Sequence, residues 1–97
     1  MALNKLSESE ARVVLVSGGS RGFGKSLVAS YLNAGWRVAS FSRSEICLDK
    51  DMNIKNSAHR DNFFSRQIDA CNIPDVESFV QAVLTKWGRL DVLINNA

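Results

Sequence analysis

The residues of this chain best placed to do chemistry are its clustered glycines. Ser17-Gly18-Gly19-Ser20-Arg21-Gly22-Phe23-Gly24-Lys25-Ser26 contains four of the six glycines. Two phosphate-binding patterns overlap in it. Gly18-x-x-x-Gly22-x-Gly24 is one; Gly19 to Ser26 satisfies the P-loop pattern GxxxxGK[ST] and is the other. The physics is shared. Residues without a Cβ let backbone N–H groups approach an anion closely, and a helix opening at that point adds a partial positive charge. Other reactive groups are sparse. Cys47 and Cys71 form no CxxC pair and make a poor disulfide framework. His59 is the sole histidine, in a polar stretch, with no constellation around it that would hold a metal. No metal site is expected.

The glycine loop needs elements on either side to aim it. Arg12 to Ser17 is a β-branched run ending at glycine and reads as a buried strand. From Lys25 to Ala34 the apolar residues Leu27, Val28, Tyr31 and Leu32 recur at helical spacing, and Gly35 stops the helix. Trp36 to Ser42 is a second strand. Strand, loop, helix and strand in this length make one βαβ unit. Glu45 to Asn62 shows no clean period and is expected to be loop with one irregular helix. Phe63 to Ile68 is a third strand. Asn72 is a helix N-cap with Asp75 three residues on. Val76, Phe79, Val80, Val83, Leu84 and Trp87 then line one helical face as far as Gly88. Leu90 to Ile94 is a fourth strand. Strands alternating with helices predict a parallel α/β sheet.

Composition narrows the function classes. The chain has 97 residues, 45% hydrophobic and 23% charged, as expected of one small globular domain rather than a disordered or low-complexity segment. A net charge of +2 offers no argument for a nucleic-acid or anionic-membrane partner. No apolar run approaches the length of a membrane span, and the polar opening segment, residues 1–11, does not read as a secretory signal. Reduced cysteines without an export signal predict a cytoplasmic protein.

A P-loop enzyme wants an acidic residue at the end of another strand to help hold Mg²⁺. The fourth strand ends in Asn95-Asn96 instead, and Asp69 follows a strand interrupted by Ser65, Arg66 and Gln67. A more specific likeness lies elsewhere. Ser17 to Gly24 resembles the TGxxxGxG cofactor loop of the short-chain dehydrogenase/reductase family, with Ser17 for the usual Thr and Phe23 for the usual Ile or Leu. Leu90-Asp-Val-Leu-Ile-Asn-Asn-Ala97 resembles that family's strand ending in NNAG. Asp69 stands where the family keeps an acidic or amide residue beside the adenine. The resemblance runs from Arg12 to Ala97, in order and at family-like separations. It implies a Rossmann-type sheet with flanking helices and strand order 3-2-1-4, within a partial dinucleotide-binding domain spanning residues 12–97.

The resemblance also implies which residues meet the cofactor. Gly18, Ser20, Arg21, Gly22 and Phe23 would surround the pyrophosphate and adenosine ribose. Asp69 would accept from the adenine amino group, with Ala70 beside the ring. Asn96 would lie near the nicotinamide ribose, while Asn95 would tie the fourth strand to its neighbours. In dinucleotide folds a carboxylate about 20 residues past the loop binds the ribose 2′-OH of NAD, and an arginine suits the 2′-phosphate of NADP. The second strand ends Ser40-Phe41-Ser42-Arg43, with no carboxylate before Glu45. Arg43, with Arg21, therefore points to NADP over NAD, since a guanidinium grips phosphate bidentately.

The family's chemistry uses a Tyr-x-x-x-Lys pair helped by a serine. Here the only tyrosine is Tyr31, and Gly35 stands four residues on. No catalytic residue is therefore expected among these 97, and the chain alone is expected to be inactive. The expectation is the N-terminal, NADP-binding portion of an oxidoreductase that interconverts a carbonyl and an alcohol on a small-molecule substrate. The complete protein could be a homo-oligomer. A stand-alone nucleotide-binding module and a P-loop nucleotide hydrolase are the alternatives.

Overall fold

The computed structural model describes residues 11–49 and 52–96; of the polar segment 1–11, all but Ala11 lies outside them. Four strands form one sheet: β1 (Val13–Ser17), β2 (Arg37–Ser42), β3 (Phe63–Gln67) and β4 (Val92–Ile94). All pair in parallel, in the order β3-β2-β1-β4. This is the doubly wound α/β arrangement the sequence predicts.

The two faces of the sheet follow from side-chain alternation along a strand. Val14, Val16 and Val38 are fully buried and pack on Val28 and Leu32 of α1 (Gly22–Asn33). Val13, Leu15, Ala39 and Phe41 face the opposite way, onto Phe79 and Val83 of α2 (Ile73–Trp87). Each such aliphatic or aromatic side chain gains about 1.5–3 kcal/mol by leaving water. Because β1 is covered on both faces, all five of its residues are buried. That is why it reads as a continuous apolar run rather than an alternating one.

Several boundaries differ from expectation. Helix α1 opens at Gly22, ahead of Lys25, because the last two glycines of the loop are wound into its first turn. Trp36 belongs to the helix end: its N–H bonds the Tyr31 carbonyl, and β2 starts one residue later. Helix α2 is capped as predicted. The Asn72 side chain accepts from the Asp75 N–H at 3.2 Å, and Gly88, at φ +75°, closes the other end through its N–H on Leu84. Leu84, however, is 36% exposed and lies off the buried face. Helical spacing places it beside that face, but the short β4 offers little sheet for it to cover.

Among the described residues, 45–49 and 53–56 belong to no helix or strand. The Met52 N–H donates to the Asp49 carbonyl at 3.2 Å, and a 3₁₀ turn (Ser57–Asn62) follows. Ile46 and Met52 are buried, Leu48 and Ile54 half-buried, and Cys47, Asp49, Asn53 and Lys55 exposed.

Candidate cofactor site

The four strands end on the same side of the sheet, and a cleft of about 820 Å³ opens there. Its walls come from the segments that follow each strand. Gly18, Ser20, Arg21 and Gly22 follow β1. Phe41, Ser42, Arg43 and Ser44 end and follow β2. Ile68, Asp69 and Ala70 follow β3, and Asn96 follows β4. Helices α1 and α2 lie on opposite faces on either side of β1, so the sheet order reverses beside it. Crevices at such switch points are where open α/β sheets bind ligands.

The glycine loop is shaped by contacts that tolerate no side chain. Gly18 sits at φ +72° and Gly22 at φ +58°, the left-handed region. The Gly18 N–H donates to the Phe41 carbonyl at 2.8 Å, tying the loop to β2. A Cβ at Gly24 would lie 2.1 Å from the Gly18 carbonyl oxygen, so only glycine lets the helix come this close to the loop.

The first turn of α1 has no acceptor of its own. Arg21 at the N-cap makes no side-chain capping bond, and the turn holds no acidic residue. This contrasts with α2, where Asn72 caps and Asp75 sits in the first turn. A helix start with uncapped N–H donors is suited to an external anion. Among the described residues, neither Arg21 nor Arg43 takes part in an ion pair, so two exposed guanidinium groups border the cleft.

The end of β4 is fastened to the loop by Ser17. Its hydroxyl oxygen accepts from the Asn96 N–H at 2.8 Å and lies 3.2 Å from the Asn95 Oδ1 and 3.4 Å from the Ile94 carbonyl. The Asn96 side chain in turn donates to the Gly18 carbonyl at 3.2 Å. At the other end of the cleft, Asp69 Oδ1 accepts from the Cys71 N–H at 2.9 Å, which fixes that carboxylate at the mouth. Ser42 donates to Ser20 at 2.8 Å, joining the loop to the end of β2.

Of the nine residues singled out in the sequence, Gly18, Ser20, Arg21, Gly22, Arg43, Asp69, Ala70 and Asn96 line this one cleft. Phe23 is not part of that lining and is 69% exposed. The cleft adds Phe41, Ser42, Ser44 and Ile68, whose only signal in the sequence is their place at strand ends. Lys25, which a P-loop would aim at a phosphate, is absent from the lining. Its Nζ lies 2.7 Å from an Asp49 carboxylate oxygen, which argues against that reading. Among the described residues no three His, Cys, Asp or Glu side chains are grouped to hold a metal ion. No helix there is long and apolar enough to cross a membrane.

Comparison with known proteins agrees with this geometry. The model of the short chain dehydrogenase family matches residues 12–97. The 2-(R)-hydroxypropyl-CoM dehydrogenase of Xanthobacter autotrophicus is 31% identical over 87 residues, covering 90% of this chain and 35% of that protein. The NADP-dependent 3-hydroxy acid dehydrogenase of Escherichia coli is 28% identical over 85 residues, 88% of this chain and 33% of the relative. Among solved structures, a short chain dehydrogenase from Bacillus anthracis superimposes with a TM-score of 0.75 at 29% identity, over 93% of this chain and 35% of that one. An actinorhodin polyketide ketoreductase solved with NADPH superimposes with a TM-score of 0.72 at 28% identity, over 92% and 34%. The chain thus spans about a third of the length of these relatives. With its glycine loop, its asparagine-ended strand and its sheet order all in place, the chain belongs to the short-chain dehydrogenase family.

Proposed function

We propose that this chain is the NADP-binding portion of an oxidoreductase that interconverts a carbonyl and an alcohol. The observation that carries the cofactor choice is the end of β2. Arg43 borders the cleft beside Ser42 and Ser44, Arg21 stands on the facing loop, and no carboxylate lines that side. Two guanidinium groups attract a 2′-phosphate, whereas NAD would want an acceptor for its ribose hydroxyl there. The NADP-dependent relative and the neighbour solved with NADPH support the same choice.

On this reading, the uncapped first turn of α1 with Gly18, Ser20 and Gly22 holds the pyrophosphate. Asp69 and Ala70 meet the adenine between Phe41 and Ile68, and Asn96 meets the nicotinamide ribose. A bound nicotinamide supplies or accepts hydride. These residues bind and orient it, and the Ser17, Asn95 and Asn96 bonds keep its side of the cleft in shape. With no Tyr-x-x-x-Lys pair in the sequence, the 97 residues bind cofactor without turning over substrate.

Fluorescence titration of NADPH and NADH tests this. NADPH is expected to bind at least about tenfold more tightly, since hydrogen bonds to a charged group contribute about 1.5–3 kcal/mol. Arg43→Ala should remove most of that margin. Equal affinities in the unmodified chain would overturn the NADP reading.

A further inference from the structure

At one end of the sheet β3 pairs with β2 alone, so among the described residues one side of its backbone meets no other strand. An edge of this kind is a template for an added strand. Its surroundings decide which strand it accepts. Phe63 packs on the α1 side of the sheet and Phe64 on the α2 side. By alternation, Arg66 shares the face of Phe64.

Two cations gather on that face. The Arg66 guanidinium lies 5.5 Å from the centre of the Phe64 ring and 5.7 Å from that of Phe79. The Lys86 ammonium, in the last turn of α2, lies 5.3 Å from Phe64 and 5.9 Å from Trp87. Aromatic rings attract cations through their negative faces, so each contact restrains a long side chain. Both residues are exposed, and among the described residues neither takes part in an ion pair. Their charge is open to a partner from outside. None of Phe64, Arg66, Lys86 and Trp87 lines the cofactor cleft, so this surface is separate from it.

An added strand would run about 4.8 Å beyond β3, with every second side chain on the face of Phe64 and Arg66 and the others beside Phe63. Carboxylates in the first set would reach the two cations. Opposite charges across paired strands are favourable and like charges are not. A second copy of β3 would bring the same cations to the same face and is repelled, as is any basic strand. We propose that the β3 edge is a docking site for an extended acidic segment of a partner protein, which adds as a fifth strand with its carboxylates on the side of Arg66 and Lys86. Strand pairing supplies the backbone bonds, and the two restrained cations select the charge at reduced entropic cost.

The test records amide NMR spectra of the isotope-labelled chain during titration with two capped hexapeptides, one alternating glutamate with valine and one alternating lysine with valine. The glutamate peptide is expected to shift the signals of residues 63–67, to slow their hydrogen exchange and to bind about fivefold or more tightly than the lysine peptide, with a margin that shrinks as salt is raised. Arg66→Glu combined with Lys86→Glu should reverse the preference, with circular dichroism to verify folding. Lys86→Glu alone serves if the double variant does not fold, and should narrow the margin. No shift in β3, equal binding of the two peptides, or an unchanged preference in the folded variants would overturn the proposal. So would a single-stranded polynucleotide that shifts the same signals more strongly than the glutamate peptide, since the surface would then read phosphate rather than an acidic strand.

Discussion

Asn96 donates from its side chain to the carbonyl of Gly18 at 3.2 Å, so the end of β4 is bolted to the first glycine of the loop. The same carbonyl is the atom that a Cβ at Gly24 would strike, at 2.1 Å, with the Asn96 Nδ2 at 2.5 Å. Loop, helix and fourth strand thus converge on one backbone oxygen. Anything that enlarges Gly24 must displace all three.

Gly24→Ala is accordingly expected to destabilise the fold by about 1–3 kcal/mol, the usual cost of overpacking a closed site. It should also weaken dinucleotide binding, because the loop backbone has to move. Gly35→Ala serves as a contrast: φ is +89° there, but a Cβ would meet nothing within 4 Å. Thermal melts with cofactor titrations on both variants check the difference. Strong loss of binding is expected only at Gly24.

Gly19 and Ser40 form a matched pair. Ser40 is fully buried and donates to the Val16 carbonyl, and its Oγ lies 2.2 Å from where a Cβ on Gly19 would stand. Gly19→Ala alone should therefore be destabilising, and Ser40→Ala should relieve part of the clash. A double-mutant cycle is expected to show a favourable coupling of about 0.5–3 kcal/mol, the range for residues in contact. Additive effects would show that the loop relaxes independently of β2.

Asp91 makes stability depend on acid. Arg89 donates to both its carboxylate oxygens, at 2.9 and 2.6 Å, and the Val13 N–H donates to Oδ2 at 2.8 Å. The arginine bonds, and then the backbone bond, hold this carboxyl below its usual value. The unfolded chain binds the proton more readily, so the contribution is complete above the ordinary carboxylate range and fades as pH falls through the lowered value. Asp91→Asn should flatten the fall in melting temperature between about pH 5 and pH 2. Identical pH profiles for the two chains would contradict this.

Asn72→Ala removes the side-chain acceptor for the Asp75 N–H and should cost about 1 kcal/mol. Asn72 does not line the cleft, so the NADPH-to-NADH ratio should be unchanged. Chemical denaturation gives the first quantity and titration the second.

Much of this molecule is legible in its residues because the signals are local. The β-branched run before the glycines, the helical spacing from Val76 to Trp87, and the Asn72 and Gly88 caps each need only a few neighbours, and each becomes the expected element. The glycine loop and the asparagine pair carry the family resemblance for the same reason. The bonds from Asn33 to the Asn53 carbonyl and the Lys55 N–H were not legible, because they join segments 20 and 22 positions apart. The convergence on the Gly18 carbonyl depends on Asn96, 78 positions away. The exposure of Leu84 and Phe23 depends on how much sheet or loop covers them. Periodicity and capping are settled within a turn or two of chain, so the sequence alone determined the elements, their order and the place of the glycine loop between β1 and α1. Which side chains meet across the cleft, and which glycines admit no Cβ, was decided only when the sheet brought distant segments together.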